Sequence, residues 1–451
     1  MMMKNSREAR FWKQAEGAKQ VKCLLCPRGC RLSDSERGFC GVRGNAGGRL
    51  HTLNYGRSVH AAVETIETEA VFHFRPGARI LSLGNIGCML ECSYCQNWET
   101  SQIINLNQKN VREYSPQRVV DMALAHGINV LSWTYNDPVV WQEFVMDTAR
   151  LASSHGIKNL YKSAAYINEE PFLELCEVMD IFSISLKSMS NEFYLKNTKG
   201  SLQPVLKAIR AAHASGKHLE ISNLLVTDLN DSEEDCRNVA RWVVETVGHE
   251  VPLHYVRFHP AWQYNEVPRT PVARLMRARE IAREEGIVYC YIGNLYEAGV
   301  SDTHCPSCGN LLVERFGLTV RVSGIANQGH CTRCGRDVSI KEPFAGQKPG
   351  AKNEIVNAYS NETVVHWDKE VNGLHLVTPD NEHDFTDILV THKPAGDSER
   401  IRLGRGIYRA SISKSRPDET GVAISWGAKT ELKILGLLDR AHYPVEFEGN
   451  H

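Results

Sequence analysis

From residue 79 to residue 292 the chain alternates apolar, strand-like runs with amphipathic helical segments, and no other feature limits the fold as strongly. Parallel neighbouring strands need a helical crossover between them, so this alternation predicts a parallel sheet. Six or seven such units favour a full or partial barrel over a doubly wound sheet, although the spacing leaves its closure open. The strand-like runs are Arg79–Leu83, Ile128–Tyr135, Ile157–Ser163, Asp180–Ser185, His218–Val226, Val251–Phe258 and Ile287–Ile292.

Helix-boundary signals separate these runs. Ser115 followed by Pro116 is typical of a helix start, and Gly127 is typical of the end of that helix. Ser232, which three acidic residues follow, predicts another start because negative charges suit the positive end of a helix dipole.

Three further parts flank the predicted barrel of residues 76–300. Residues 1–75 form an N-terminal cysteine-rich segment, and residues 301–341 carry a second group of cysteines in a knuckle pattern. A linker rich in proline, glycine and lysine then leads to residues 353–451, which contain no cysteine. Short strand-like runs separated by turn residues predict that this tail is a small β-rich domain.

Charge and hydropathy exclude several classes of function. The net charge of -1 over 451 residues provides no broad cationic field, so nucleic-acid binding is not expected. The chain has no apolar run of about 18 residues, and its first twenty residues mix charges, so neither a membrane span nor a secretory signal is expected. We therefore expect a cytoplasmic protein whose 14 cysteines are mainly metal ligands rather than disulfides.

The central cysteine group is a triplet, Cys88, Cys92 and Cys95, that begins five residues after the first strand-like run. Active-site loops of parallel α/β folds follow the carboxyl ends of the strands, which is where this triplet lies. Three thiolates with C-x3-C-x2-C spacing can hold three irons of a [4Fe–4S] cluster and leave the fourth iron open for chemistry. The alternative is a zinc-binding or redox-inert loop.

The two flanking groups have four cysteines each. Cys305, Cys308, Cys331 and Cys334 form two C-x2-C knuckles separated by 22 residues, which predicts a tetrahedral zinc site, with an auxiliary iron–sulfur cluster as the alternative.

The N-terminal group is less standard, and it consists of Cys23, Cys26, Cys30 and Cys40. It can hold zinc, a second cluster, or a metal with three ligands and a spare thiol. A cluster there would relay electrons or bind substrate.

Ordered sequence matches across residues 21–337 resemble one family. They include CLLCPRGCRL, LNYGRSV, GNIGCMLECSYCQNWETSQ, TYNDP, NEFYLKNTKG, VPLHYVRFHPAW and the closing CPSCG and CTRCG. The chain resembles the radical S-adenosylmethionine (SAM) superfamily, and more closely the radical SAM enzymes named after the AmmeMemoRadiSam system. These enzymes are related to the pyruvate formate-lyase activating enzymes.

This resemblance implies a partial (β/α)6-type TIM barrel of the radical SAM kind and an oxidoreductase that uses a [4Fe–4S] cluster and SAM. It implies that SAM is cleaved reductively to a 5′-deoxyadenosyl radical, which abstracts hydrogen from a substrate that the sequence does not identify. An activase-like function implies that this substrate is a protein or peptide. The resemblance also implies an electron donor such as flavodoxin or ferredoxin.

Four residues outside the triplet correspond to family positions near SAM, namely Tyr94, Asp137, Lys187 and His254. Lys187 would bind the SAM carboxylate as a point charge. Asp137 is equally well explained as the N-cap of a helix that starts at Pro138. A lone histidine on an apolar strand, such as His254, is more often a hydrogen-bonded core residue. No further catalytic residue is assigned.

The chain departs from the family pattern at three places. Asp137 stands where the family usually has glutamate, Ser185 where it has aspartate, and Ala164 where relatives often have asparagine. These changes predict an altered pocket. A small biosynthetic intermediate is therefore an alternative substrate, and a non-catalytic metal-binding scaffold is the alternative from another class of function.

Overall fold

The computed structural model describes residues 6–17, 19–295, 299–316, 318–326 and 329–343, and beyond them the backbone of eight strands between residues 355 and 438. The chain divides into two compact units. The first contains residues 1–295, 300–314 and 322–346, and the second contains residues 296–299, 315–321 and 347–451. The boundaries of the four parts expected from the sequence stay predictions.

An eight-stranded sheet forms the centre of the first unit. Its strands follow one another in chain order across the sheet, and every neighbouring pair is parallel except the first, which is antiparallel. This arrangement confirms the predicted partial barrel with a mostly parallel sheet. The strands are β1 (His60–Thr65), β2 (Arg79–Gly84), β3 (Val130–Thr134), β4 (Lys158–Ser163), β5 (Ile181–Ser185), β6 (His218–Leu225), β7 (Leu253–Arg257) and β8 (Cys290–Gly293).

Six helices cross between successive parallel strands. The Ser115 and Ser232 side chains accept hydrogen bonds from the backbone N–H groups three residues ahead, as their N-cap positions predict. Gly127 has a φ of +62°, which suits the residue that follows a helix end. The helices are α1 (Pro116–Ala125), α2 (Gln142–Ser154), α3 (Glu169–Val178), α4 (Leu202–Ala214), α5 (Glu233–Val247) and α6 (Val272–Glu284), with a short helix at Asn191–Asn197 before α4.

The segment between β1 and β2 lies across the amino ends of the barrel strands. Its apolar side chains, including Ile66, Val71 and Phe74, pack in one buried cluster with the first residues of β2, β3 and β5. Burying these apolar side chains stabilises the closed end of the barrel. The main sheet therefore begins at residue 60, inside the range that sequence analysis assigns to the N-terminal segment.

Short elements precede and follow the barrel strands in the chain. Near the N-terminus, Arg7–Glu8, Arg43–Ala46 and Arg49–Thr52 form one small sheet, Trp12–Gln14, Val21–Cys23 and Arg31–Leu32 form another, and Arg57–Ser58 pairs with Arg112–Glu113. Further short helices are Ile66–Glu69, Trp98–Ser101, Ile103–Asn105, Gln108–Asn110 and Pro138–Trp141. The region after β8 contains the strands Thr303–His304, Leu311–Phe316, Thr319–Val322, Ile325–Ala326 and His330–Cys331.

The second unit is strand-rich, as the turn-separated runs of the tail predict. Beyond residue 343, two four-stranded antiparallel sheets account for the described backbone. One contains Ile355–Ala358, Leu432–Leu438, Val371–Val377 and Arg409–Ser413, and the other contains Glu362–His366, Gly421–Trp426, Phe385–Lys393 and Ser398–Gly404. Across the described residues of the whole chain, no helix is both long and apolar enough to cross a bilayer.

Candidate functional site

The cysteine triplet lies on the loop that follows β2, at the carboxyl ends of the barrel strands. Gly87 starts the loop with a φ of +80°, and a Cβ atom there would lie 2.6 Å from the Cys40 carbonyl oxygen. Backbone hydrogen bonds of 2.9 Å from Glu91 to Thr198 and from Ser93 to Asn197 attach the loop to the segment after β5. Only glycine fits the first position without strain.

The three thiols are partly exposed and close enough to influence one another. Burial raises the pKa of Cys88 well above its usual range, and the Asp137 carboxylate and the Cys92 thiol add to this effect. Among the described residues, only the C-terminal cysteine group brings three or more ligand atoms within 4.8 Å of one another. The donor chemistry of the triplet suits a [4Fe–4S] cluster, in which each of the three thiolates binds a different iron.

Three asparagines that sequence reasoning missed connect the loop to the end of β3. The Asn97 side chain donates to the Tyr135 carbonyl at 2.7 Å, Asn136 donates to the Asn85 carbonyl at 2.7 Å, and Asn85 donates to the Asp137 carbonyl at 3.2 Å. Tyr135 has a φ of +67°, a left-handed conformation that costs a non-glycine residue roughly 1–3 kcal/mol. The strained strand end and the cysteine loop therefore hold each other in place.

Asp137 is a buried N-cap, as one of its two sequence interpretations predicts. Its carboxylate accepts hydrogen bonds from the Val139 amide at 3.2 Å, the Ser163 hydroxyl at 2.8 Å and the Ala164 amide at 2.8 Å. Burial raises its pKa to about 6, although these hydrogen bonds oppose the shift. A carboxylate has about four acceptor positions, so one remains for a further donor.

Lys187 and Tyr94 lie beside the triplet. The Lys187 ammonium is 5.8 Å from the centre of the Tyr94 ring, and Tyr94 is buried. Burial raises the pKa of Cys92 to about 11, against the opposing effect of the Lys187 charge. The Tyr194 hydroxyl accepts a hydrogen bond from the Lys187 amide at 3.0 Å and so orients the end of β5. The structure therefore brings Tyr94, Asp137 and Lys187 together around the thiols.

His254 lies near the start of β7, away from the carboxyl ends that carry the triplet. Its Nε2 is 2.7 Å from a carboxylate oxygen of Glu220, and both residues are buried. Burial alone would raise the pKa of Glu220, but the hydrogen bonds from His218 and His254 hold it well below its usual range. This pairing makes His254 a core residue of the barrel, and its contact with SAM stays a prediction.

The barrel interior below the triplet is polar. The Lys162 ammonium donates to the Ser183 hydroxyl at 3.1 Å and to the Ser222 hydroxyl at 2.9 Å, and Ser222 is 3.2 Å from the Ser185 hydroxyl. Burial lowers the pKa of Lys162 to about 8, partly offset by the Glu69 carboxylate. The hydrogen-bond partners of this lysine are thus the two serine hydroxyls, while the Glu69 and Glu220 carboxylates act on it through their charges.

The four N-terminal cysteines line one cavity together with Met89 of the triplet loop. The cavity contains about 320 Å³ of space free of atoms, part of it open to solvent. Burial raises the pKa of Cys40 to about 11, and Arg43 is one of the groups that oppose this rise. Arg43 is itself buried, and it forms an ion pair of 2.9 Å with Glu143.

The four C-terminal cysteines form a compact group, as their spacing predicts. The sulfurs of Cys305 and Cys334 are 3.5 Å apart, those of Cys308 and Cys331 are 3.6 Å apart, and all four lie within 4.8 Å of one another. A tetrahedral zinc with Zn–S bonds of about 2.3 Å requires sulfurs about 3.8 Å apart. The donor set and its size therefore fit a single zinc ion.

Comparisons with known proteins agree with this geometry. The family model described as the radical SAM superfamily matches residues 85–243, which include the triplet, Asp137 and Lys187. Members of this superfamily use a [4Fe–4S] cluster and SAM.

Two curated relatives and one solved structure illustrate the similarity. An uncharacterized protein of Methanocaldococcus jannaschii is 36% identical over 335 residues, which are 74% of this chain and 99% of the relative. The pyruvate formate-lyase-activating enzyme of Staphylococcus epidermidis is 24% identical, over 43% of this chain and 81% of its own. A domain of the pyruvate-formate lyase-activating enzyme of Bacteroides vulgatus is 17% identical, covers 36% of this chain and 98% of its own, and has a TM-score of 0.32.

Proposed function

Because this chain belongs to the radical SAM superfamily, we propose that it cleaves SAM at the cysteine triplet and removes a hydrogen atom from a substrate held in the barrel. The observation that carries the proposal is the meeting of Cys92, Asp137 and Lys187 at the carboxyl ends of the strands. When bound by Cys88, Cys92 and Cys95, the [4Fe–4S] cluster would supply the electron that splits SAM into methionine and a 5′-deoxyadenosyl radical.

Two charged side chains suit the amino-acid end of SAM. Lys187 offers an ammonium to the SAM carboxylate, and its position over Tyr94 keeps it beside the thiols. Asp137 has one acceptor position left for the SAM amino group, and at pH 7 a pKa of about 6 leaves it mostly ionised. Its three hydrogen bonds to protein keep the carboxylate in one orientation.

The barrel walls would protect the reaction from stray hydrogen donors. The segment between β1 and β2 closes the amino ends with buried apolar side chains. Exclusion of solvent there supports radical chemistry, because reactive intermediates are lost to side reactions in open solvent.

The leading substrate class is a protein or peptide, in an activase-like reaction with flavodoxin or ferredoxin as electron donor. Its support is the similarity to an enzyme named as activating pyruvate formate-lyase. A small polar molecule is the second candidate. Lys162 with the Ser183 and Ser222 hydroxyls favours it, because a cation and hydroxyls inside the barrel suit an anionic ligand.

Anaerobic reconstitution tests the proposal. Iron and sulfide are added, then dithionite and SAM, and 5′-deoxyadenosine is measured by mass spectrometry. The wild type should form it, and the Cys92→Ala variant should not. Cys290→Ala is the matched control, because Cys290 is buried on β8 outside the three cysteine groups. Equal yields from the wild type and Cys92→Ala would remove the enzymatic interpretation.

Deuterated candidates distinguish the two substrate classes. A true substrate transfers deuterium to 5′-deoxyadenosine, whether it is a short peptide or a small anionic metabolite. For a small molecule, Lys162→Met should reduce this transfer at least tenfold while leaving SAM cleavage in place. Lys158→Met, on the same strand but paired with Asp180, should leave the transfer unchanged. Equal transfer in both variants rules out the small-molecule candidate.

A further inference from the structure

The N-terminal cysteines converge from two separate turns. Cys23 ends a short strand, and its amide donates to the Cys30 carbonyl at 2.9 Å, which closes the loop that contains Cys26. Cys40 lies on a second turn, which the amide of Gly41 closes at 2.8 Å from the Gly38 carbonyl. The four side chains line the same cavity.

The spacing of these sulfurs differs from that of a zinc site. Among the described residues, the C-terminal cysteines form a group whose sulfurs all lie within 4.8 Å of one another, as around a single ion, and the N-terminal cysteines do not form such a group. The N-terminal sulfurs share this wider spacing with the triplet. In a [4Fe–4S] cluster each thiolate binds its own iron, so the ligand sulfurs lie farther apart than around one ion.

Backbone donors and a buried cation surround the sulfurs. The Arg28 amide donates to the Cys26 sulfur, and the amides of Val42 and Arg43 donate to the Cys40 sulfur. Such hydrogen bonds, together with a nearby positive charge, suit thiolates that carry the net negative charge of a cluster.

The cavity adjoins the loop that carries the triplet. The Cys40 carbonyl packs against Gly87, the residue before Cys88. The Arg28 side chain donates to the Met89 carbonyl, and Met89 lines the cavity wall. The turns that carry the N-terminal cysteines therefore contact the triplet loop directly.

From the wide spacing, the amide donors and this position, we propose that Cys23, Cys26, Cys30 and Cys40 bind an auxiliary [4Fe–4S] cluster. All four irons of this cluster have a cysteine ligand, so none is open to SAM. The proposal stands independently of the reaction at the triplet and of the substrate.

A variant that lacks the triplet isolates the new site. The full chain with Cys88→Ala, Cys92→Ala and Cys95→Ala is reconstituted anaerobically with iron and sulfide. We expect about four irons and four sulfides per chain. We also expect, after dithionite reduction, an electron paramagnetic resonance signal that SAM does not change. No bound iron above background, or two zinc ions per chain in the protein as purified, overturns the proposal, as does a signal that shifts on adding SAM.

Complementary variants guard against misfolding. Wild type should bind about eight irons, and the Cys26→Ala, Cys40→Ala double variant about four. Cys30→Ser keeps the buried Cys23 and Cys26 and should lower the iron content or alter the auxiliary signal. Cys176→Ser, a buried cysteine on α3, should keep about eight irons. Eight irons in both the double variant and Cys30→Ser contradict the proposal. Formation of 5′-deoxyadenosine is measured separately. Loss of SAM cleavage at the triplet is therefore distinguished from loss of iron at the N-terminal cysteines.

Discussion

The two four-cysteine regions lie at opposite ends of the same barrel. The N-terminal region contacts the carboxyl ends, through Met89 of the triplet loop and through Asn168, which binds the Leu24 and Leu25 carbonyls. The C-terminal region contacts the amino ends, where Glu250 accepts hydrogen bonds from Arg336 and Ser339. The first therefore lies beside the site of chemistry, and the second supports the closed end.

The two regions also differ in what positions their ligands. Each C-terminal knuckle closes on itself, because the Gly309 and Gly335 amides donate to the carbonyls of Cys305 and Cys331 at 2.8 and 2.9 Å. The N-terminal turns instead depend on distant partners, above all the ion pair of Arg43 with Glu143, 100 positions away. Local spacing thus specifies one site, and tertiary contacts specify the other.

Loss of the knuckle ligands should have the largest effect. A Cys305→Ser, Cys331→Ser variant should lose its zinc, and with it a binding free energy on the order of 10 kcal/mol that holds residues 303–341 folded. Zinc per chain and hydrogen exchange over that segment measure the change. The iron content should stay at the wild-type value. Loss of iron in place of zinc would show that the C-terminal cysteines bind a cluster, as the N-terminal cysteines are proposed to do.

Removal of the buried cation should be the next largest effect. Arg43→Met leaves Glu143 buried without its ion-pair partner, so the free energy of unfolding should fall by about 3–5 kcal/mol. Denaturant titration under anaerobic conditions measures this free energy of unfolding. Arg49→Met is the control, because the Arg49–Glu8 pair is exposed and should contribute no more than about 1 kcal/mol. Equal losses would show that the N-terminal turns do not depend on this pair.

Gly87→Ala tests the contact between the N-terminal region and the triplet loop. The new Cβ would lie 2.6 Å from the Cys40 carbonyl oxygen, so we expect a loss of stability of about 1–3 kcal/mol and a lower iron content. Gly156→Ala separates the steric contact from the strain of a positive φ. Gly156 has a similar φ of +73°, but no atom lies within 4 Å of the new Cβ. The same loss in both variants would assign the effect to backbone strain alone.

Arg28→Met should have the smallest effect. Arg28 donates to the carbonyls of Met89 and Lys199, and loss of both bonds should cost about 1–2 kcal/mol. Arg31→Met, an exposed change on the following short strand, should be nearly neutral. Thermal unfolding of the anaerobic holoprotein compares the two. A neutral Arg28→Met would show that packing alone joins the N-terminal region to the triplet loop.

The barrel strands could be predicted from the sequence because their signals are local. The run Arg79–Leu83 became β2 at Arg79–Gly84, and His218–Val226 became β6 at His218–Leu225. In contrast, Glu220 and the asparagines around the triplet had no local signal. Their partners lie dozens of residues away, as His254 does from Glu220, so only the folded chain brings them together.

The closed amino end of the barrel has a kinetic consequence. Residues 66–78 cover that end, and the interior side chain of Lys162 lies on β4 deeper than Lys187, which follows the end of β5. Buried apolar side chains of this segment therefore oppose entry past the amino ends. In the proposed reaction, a small substrate at Lys162 would therefore bind before the SAM that covers Lys187 and leave after it. Steady-state kinetics should accordingly follow a compulsory order, with excess of the outer ligand trapping the inner one and slowing turnover.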